Sequence, residues 1–125
     1  MRLLLDTRVL LWWLGDDSRL RPGTREVIAD PTNDVLVSAV SFTEIAIKLS
    51  VGKLSAPADM LGALAHEGFD ELPLLARHST VLRDLPFHHR DPFDRMLIAQ
   101  SISENLTLVS YDDRLTQYDV VLLGG

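Results

Sequence analysis

Apolar residues in this chain fall in short bursts. Leu3-Leu4-Leu5, Val35-Leu36-Val37 and the stretch from Leu106 to Val109 are compact and bounded by polar or turn-forming residues. Runs of that length suit strands buried on both faces, as in a parallel sheet covered by helices. Between them the apolar positions take helical spacing. The pattern predicts strands at residues 2–5, 35–37, 72–75, 106–110 and 120–123. It predicts helices at residues 7–14, 18–29, 41–51, 57–66, 76–85 and 92–104. Pro22-Gly23 interrupts the second of these helices, and Ser41 and Glu44 have capping-box spacing. Pro92 follows Asp91 as a first helical residue follows its cap. Strands alternating with helices imply an α/β fold, a parallel sheet of four to five strands flanked by helices, as one domain over residues 1–125.

At 125 residues the chain can bury one substantial core. It has no cysteine, which removes disulfides and thiolate zinc sites and suits a reducing compartment. The longest apolar run, Val9 to Leu14, is far short of the ~20 residues a membrane span needs. Asp6 and Arg8 break the stretch after Arg2, which argues against a secretory signal. The expectation is a cytoplasmic protein without a membrane partner. The formal net charge of −6 argues, alone, against a nucleic-acid binder, which carries a basic footprint. That argument weakens if the acids gather where divalent cations bind, because bound ions invert the local field.

The placement of the acids therefore decides. Asp6 ends the first predicted strand and Asp112 lies just past the strand at 106–110. In open parallel sheets ligands gather beyond the carboxyl ends of the strands. If these two strands are neighbours, the two acids meet at one end of the sheet. Helix capping for Asp6 and a turn role for Asp112 are the competing readings. Glu44 sits in SFTEIAIKLSV, where Phe42, Ile45, Ala46 and Leu49 make an apolar face that Ile47 and Val51 extend. Its competing readings are the capping box with Ser41 and an exposed pair with Lys48. Asp94 shares a predicted helix face with Leu97, Ile98 and Ser101, an inward direction, although an acid in the first turn also favours the helix dipole. Asp91 is expected to act only as a cap.

Several carboxylates at one partly buried site repel each other and lose hydration, so they must protonate, pair with cations or bind metal. Hard oxygen donors without cysteine point to Mg²⁺ or Mn²⁺ rather than zinc. Such an ion suits phosphodiester cleavage, because it acidifies a bound water and polarises the phosphoryl group.

The stretches MRLLLDT-VLLWWL, VSAVSFTEIAIK, HHRDPFDRMLIAQ and LTLVSYD together resemble the PIN-domain nucleases, and their wider wording is similar to the VapC-type toxins of bacterial toxin–antitoxin pairs. The resemblance spans nearly the whole chain. It implies a PIN-like domain and Mg²⁺- or Mn²⁺-dependent endoribonuclease activity on RNA. It also implies that Asp6, Glu44, Asp94 and Asp112 are the catalytic and metal-binding acids, with Ser110 as the small hydroxyl residue before the last of them. It further implies a homodimer, a cognate antitoxin that holds the toxin inactive, and operator DNA reached only through that antitoxin.

One position departs from the pattern. Where the family opening reads LDTH, this chain reads LDTR, with Arg8 in place of the histidine. Arginine is neither a neutral ligand nor a general base at ordinary pH. It can point into solvent, compete with a metal by pairing with a carboxylate, or clamp a substrate phosphate. Arg8, Arg95, Ser110 and Arg114 are the possible substrate contacts. His88-His89 reads as a loop that meets RNA or solvent, and Trp12-Trp13 reads as packing or a subunit interface. The rival to the enzyme is a catalytically weakened PIN-fold module that binds antitoxin or RNA without cutting. A phosphatase acting on small phosphate esters is a third reading.

Overall fold

Leu3, Leu4 and Leu5 are completely buried and form the centre of the molecule. In this computed structural model, which describes residues 1–124, they lie on β1 (Arg2–Leu5). Alternating side chains on a strand leave by opposite faces. Leu3 and Leu5 accordingly join one apolar cluster with Val9, Leu10, Ile28 and Ile45, while Leu4 joins another with Leu97, Ile98, Leu108 and Leu115. A strand with a core on each side has no polar face, which is why its sequence is an unbroken apolar run.

The helices α1 (Thr7–Leu14), α2 (Pro22–Ala29), α3 (Ala39–Ser50), α4 (Met60–Glu67), α5 (Ala76–Asp84) and α6 (Pro92–Glu104) connect β1 to β2 (Asp34–Ser38), β3 (Asp70–Leu72), β4 (Thr107–Val109) and β5 (Leu122–Leu123). A 3-10 turn, Asp113–Gln117, lies between the last two strands. All neighbouring strands run parallel, in the order β3-β2-β1-β4-β5. The chain builds outward from β1 on one side and then returns to its other side, pairing Leu5 with Val109. The reversal places a crevice at the carboxyl ends of β1 and β4.

Several element boundaries differ from the sequence reading. The second helix begins at Pro22 rather than Ser18, because Asp17 closes a turn over residues 17–20 through its side chain to Arg19 N and its carbonyl to Leu20 N. The third begins at Ala39, capped by the Ser38 hydroxyl accepting from Val40 N. The capping box expected between Ser41 and Glu44 is therefore absent, and Ser41 instead accepts a buried hydrogen bond from the Thr7 hydroxyl at 2.9 Å. The helix expected at 57–66 starts at Met60, where Asp59 Oδ1 accepts from Gly62 N, and ends at Gly68, whose φ of 73° closes it. The strand expected at 72–75 is Asp70–Leu72, since Pro73 has no N–H to extend the ladder.

The third helix also corrects its predicted face. Val40, Ser41, Glu44 and Ile45 are buried, whereas Ile47, Leu49 and Val51 are exposed. Glu44, with 6% of its surface exposed, lies in the packed half rather than at its margin.

Candidate acidic site

The crevice is an open cleft of about 600 Å³, lined by Asp6, Glu44, Asp94 and Asp112 together with Arg8, Lys48, Asp91 and Arg114. Each acid arrives by a different local route. Asp6 follows β1 directly and caps α1, its Oδ1 accepting from Val9 N at 2.7 Å. Glu44 is buried just past the first turn of α3, a helix that packs near α6 and α1. Asp94 is the third residue of α6, behind the cap Asp91, which accepts from Phe93 N and Asp94 N. Asp112 follows β4, caps the 3-10 turn through Arg114 N, and has its own N–H bonded to the Ser110 hydroxyl at 3.1 Å. The capping and turn roles thus coexist with a shared outlook onto one cleft.

At two of the acids the surroundings disfavour the charged form. Burial pushes the Asp6 carboxyl up to about 6, against the pull of the Ser110 hydroxyl, the Val9 N–H and the Arg8 charge. Asp94 is pushed up to about 7, first by burial and then by the charges of Asp91, Asp6, Asp112 and Glu44. The other two are neutralised within the chain. Lys48 Nζ lies 2.7 Å from Glu44 Oε2. Arg114 forks onto Asp112, with Nη2 2.6 Å from Oδ2, and holds that carboxyl below its ordinary range. The same Nη2 stands 3.9 Å from Asp94 Oδ2.

Among the described residues, no three acidic or histidine side chains lie close enough together to hold one ion as they are arranged. The ion pairs with Lys48 and Arg114 occupy two of the four carboxylates in this arrangement. The donor chemistry nevertheless fits a hard divalent cation. The cleft is lined by six carboxylates, Asp17 and Asp91 besides the four, and by no thiolate, and burial together with the neighbouring acids disfavours the charged forms of Asp6 and Asp94, which such a cation would favour.

The remaining sequence candidates separate. Arg8 is exposed on the cleft wall, close enough to Asp6 to favour its charged form. Ser110 is buried between Asp6 and Asp112 and Arg114 is exposed at the rim. Arg95 does not reach the cleft. It is 6% exposed, donates to the carbonyls of Leu85 and Pro86 and to the Tyr118 hydroxyl, and lies 4.1 Å from the centre of the Phe87 ring. Those bonds commit it to holding the loop before α6, so its expected substrate contact is withdrawn.

Trp13 packs on Phe69, as expected of core packing, but Trp12 also lines the cleft, with Tyr111 edge-on and the Arg19 guanidinium 5.4 Å from its ring. His88 is exposed, whereas His89 is buried beside Asp94. Sequence reasoning missed Lys53 on the cleft wall, Asp91 as a wall residue besides its capping role, and His89 buried behind Asp94. Lys48 was legible from its i,i+4 spacing to Glu44. His89 had no comparable signal.

A family model described as PIN domain matches residues 3–121. Solved structures with the same fold include VapBC2 from Rickettsia felis bound to a DNA fragment from its promoter, at TM-score 0.71 and 14% identity, covering 99% of this chain and 98% of that one. DNA-bound VapBC from Salmonella typhimurium gives TM-score 0.68 and 13% identity, with 99% and 98% covered. FitAcB from Neisseria gonorrhoeae gives TM-score 0.61 and 20% identity, with 97% and 96% covered. The chain matches no curated protein by sequence.

Proposed function

The chain belongs to the PIN domain family, and from that premise we propose that it is a Mg²⁺- or Mn²⁺-dependent endoribonuclease, the toxin of a type II toxin–antitoxin pair. The observation that carries the reading is the convergence of Asp6, Glu44, Asp94 and Asp112 on one cleft, where burial and the neighbouring acids push the Asp94 carboxyl up. Arg114 Nη2 stands 3.9 Å from Asp94 Oδ2 but is forked onto Asp112, so it leaves Asp94 disfavoured as an anion, and a divalent ion would relieve that. A divalent ion would supply a water of lowered pKa and positive charge for the phosphoryl oxygens.

Asp6 and Asp94 are the acids with no tight internal counter-ion, and they would hold the ion first. Glu44 and Asp112, which pair with Lys48 and Arg114, would supply the further oxygen donors. Lys48, Arg114 and Arg8 line the same cleft and would contact the phosphates of an RNA strand, contacts that supply most of the non-specific affinity. Ser110 holds Asp6 and the Asp112 backbone in place.

The antitoxin partner is inferred from the solved neighbours, which are VapBC and FitAB assemblies. A homodimer, a cytoplasmic location and operator DNA reached only through the antitoxin belong to the same reading. No helix among the described residues is long and apolar enough to cross a membrane.

Arg8 motivates a second reading, because a fixed cation on the cleft wall opposes a metal. In that reading the chain is a binding module that does not cut. Cleavage of structured RNA with Mg²⁺ or Mn²⁺ separates the two. Activity in the parent chain that disappears in Asp6→Asn supports the enzyme. A silent parent that gains activity in Arg8→His supports the module. Turnover of small phosphate esters but never of RNA would refute both.

A further inference from the structure

We propose that His89 is a positioning residue for Asp94, with Tyr118 dictating which nitrogen of the His89 ring carries the proton. The inference rests on the reading of Asp94 as a member of the acidic site.

The first observation is an orphan. His89 Nε2 is the one buried side-chain nitrogen or oxygen among the described residues with no hydrogen-bond partner. A buried polar atom without a partner loses its hydration for nothing, so its surroundings need a reason. Its ionic neighbour is Asp94 Oδ2, at 3.6 Å. That is too long for a hydrogen bond, and a small rotation of the Asp94 side chain would make it one. Such contacts are often loose before a site is loaded.

The second observation fixes the proton. The Tyr118 hydroxyl accepts from His89 N at 3.2 Å and from Arg95 Nη1 at 3.1 Å. Both lone pairs of that oxygen are then engaged, and its single proton remains to be donated. The remaining neighbour is His89 Nδ1, at 2.8 Å. Nδ1 must therefore be the acceptor, and the neutral ring carries its hydrogen on Nε2, the atom that faces Asp94. Burial, the first cause, and the Arg114 charge hold His89 below its ordinary pKa, consistent with a neutral ring.

The chain of donors closes on itself. Arg95 follows Asp94 on α6, and it also donates to the Leu85 and Pro86 carbonyls of the loop that carries His89. Loop, turn and helix are thus tied together around one imidazole. A donor fixed on Oδ2 would leave Oδ1 free and hold the carboxylate at one angle. Outer partners that orient a ligating group have this effect at metal sites.

The experiment has one arm without metal and one with it. In the metal-free full chain, nitrogen-15 NMR of the imidazoles should find His89 protonated on Nε2. Tyr118→Phe should populate the other tautomer, and Asp94→Asn should shift the His89 Nε2 resonance. A wild-type ring protonated on Nδ1, or no response to Asp94→Asn, overturns the proposal. In the second arm, Mn²⁺ affinity should fall about 10–100-fold in His89→Asn and Tyr118→Phe, the range for loss of an outer partner. His89→Gln places an amide N–H where Nε2–H stood and should recover most of the affinity, which a purely structural role would not predict. Unchanged Mn²⁺ affinity in both weakened variants overturns the proposal. If the wild type binds no Mn²⁺, the proposed function fails, and the metal-free arm still decides the pairing of His89 with Asp94.

Discussion

Neutralising Asp94 should stabilise this protein above neutral pH, an unusual expectation for a substitution in a partly buried helix. Asp94 has 19% of its side chain exposed and its carboxyl is raised from 3.8 to about 7. A raised folded-state pKa means that the native state holds the proton more tightly than the unfolded chain. The stability that this provides is complete below the unfolded value of 3.8 and drains away as the pH rises through about 7. Three units at 1.36 kcal/mol each set a ceiling of about 4 kcal/mol, and screening at a partly exposed carboxyl reduces it to about 1–2 kcal/mol. Asp6, raised to about 6, titrates with the same sign and stays in the variant as background. The assay is urea unfolding between pH 5 and 8 in chelator, followed by the fluorescence of Trp12 and Trp13 on α1. Wild-type stability should fall across that range, and Asp94→Asn should fall less, ending about 1–2 kcal/mol more stable than wild type at pH 8. Parallel profiles for the two proteins, or a variant less stable at pH 8, would refute the electrostatic reasoning.

Three further perturbations probe other parts of the structure. Leu4→Ala removes a fully buried side chain beneath α6 and should cost about 2–5 kcal/mol in urea unfolding, and a loss under 1 kcal/mol would deny the second core. Glu104→Ala leaves the Nε2–H of buried His78 unpaired, since His78 Nδ1 already accepts from Leu75 N, and should cost about 1–2 kcal/mol at pH 7. Glu104 is held down at about 2, mainly by its hydrogen bonds from Arg77, so that difference should be present above pH 4.5 and shrink as the pH falls toward 2. Arg114→Ala releases Asp112 from its fork, and should tighten Mn²⁺ binding while weakening RNA binding at low salt. Both affinities moving in the same direction would show that the guanidinium has a different role.

The sheet was legible because double burial forces a strong signal. Leu3-Leu4-Leu5 and Val35-Leu36-Val37 read as strands for the same reason that they lie buried or half-buried between two helical layers. Asp6 and Asp112 were legible as strand-end acids, and the pairing of Leu5 with Val109 supplies the adjacency that their convergence needed. Glu44 was only partly legible. Helical spacing tells which residues share a face, but not how far along a helix the packing extends, and in α3 it stops near Ile45. Arg95 misled because it adjoins Asp94 in sequence. Consecutive residues on a helix point in directions about 100° apart, so one faces the cleft while the other turns into the loop. His89 was illegible because its partner, Tyr118, lies 29 residues away and no periodicity links them.

Calorimetric titration of Mn²⁺ into the wild-type chain and into Asp6→Asn, Glu44→Gln, Asp94→Asn and Asp112→Asn tests the shared acidic site most directly. Each substitution removes an oxygen donor or a local charge, so each should weaken binding, with Asp6→Asn and Asp94→Asn losing at least about tenfold. Wild-type affinity retained in those two variants, or a wild-type chain that binds no Mn²⁺, would contradict the account.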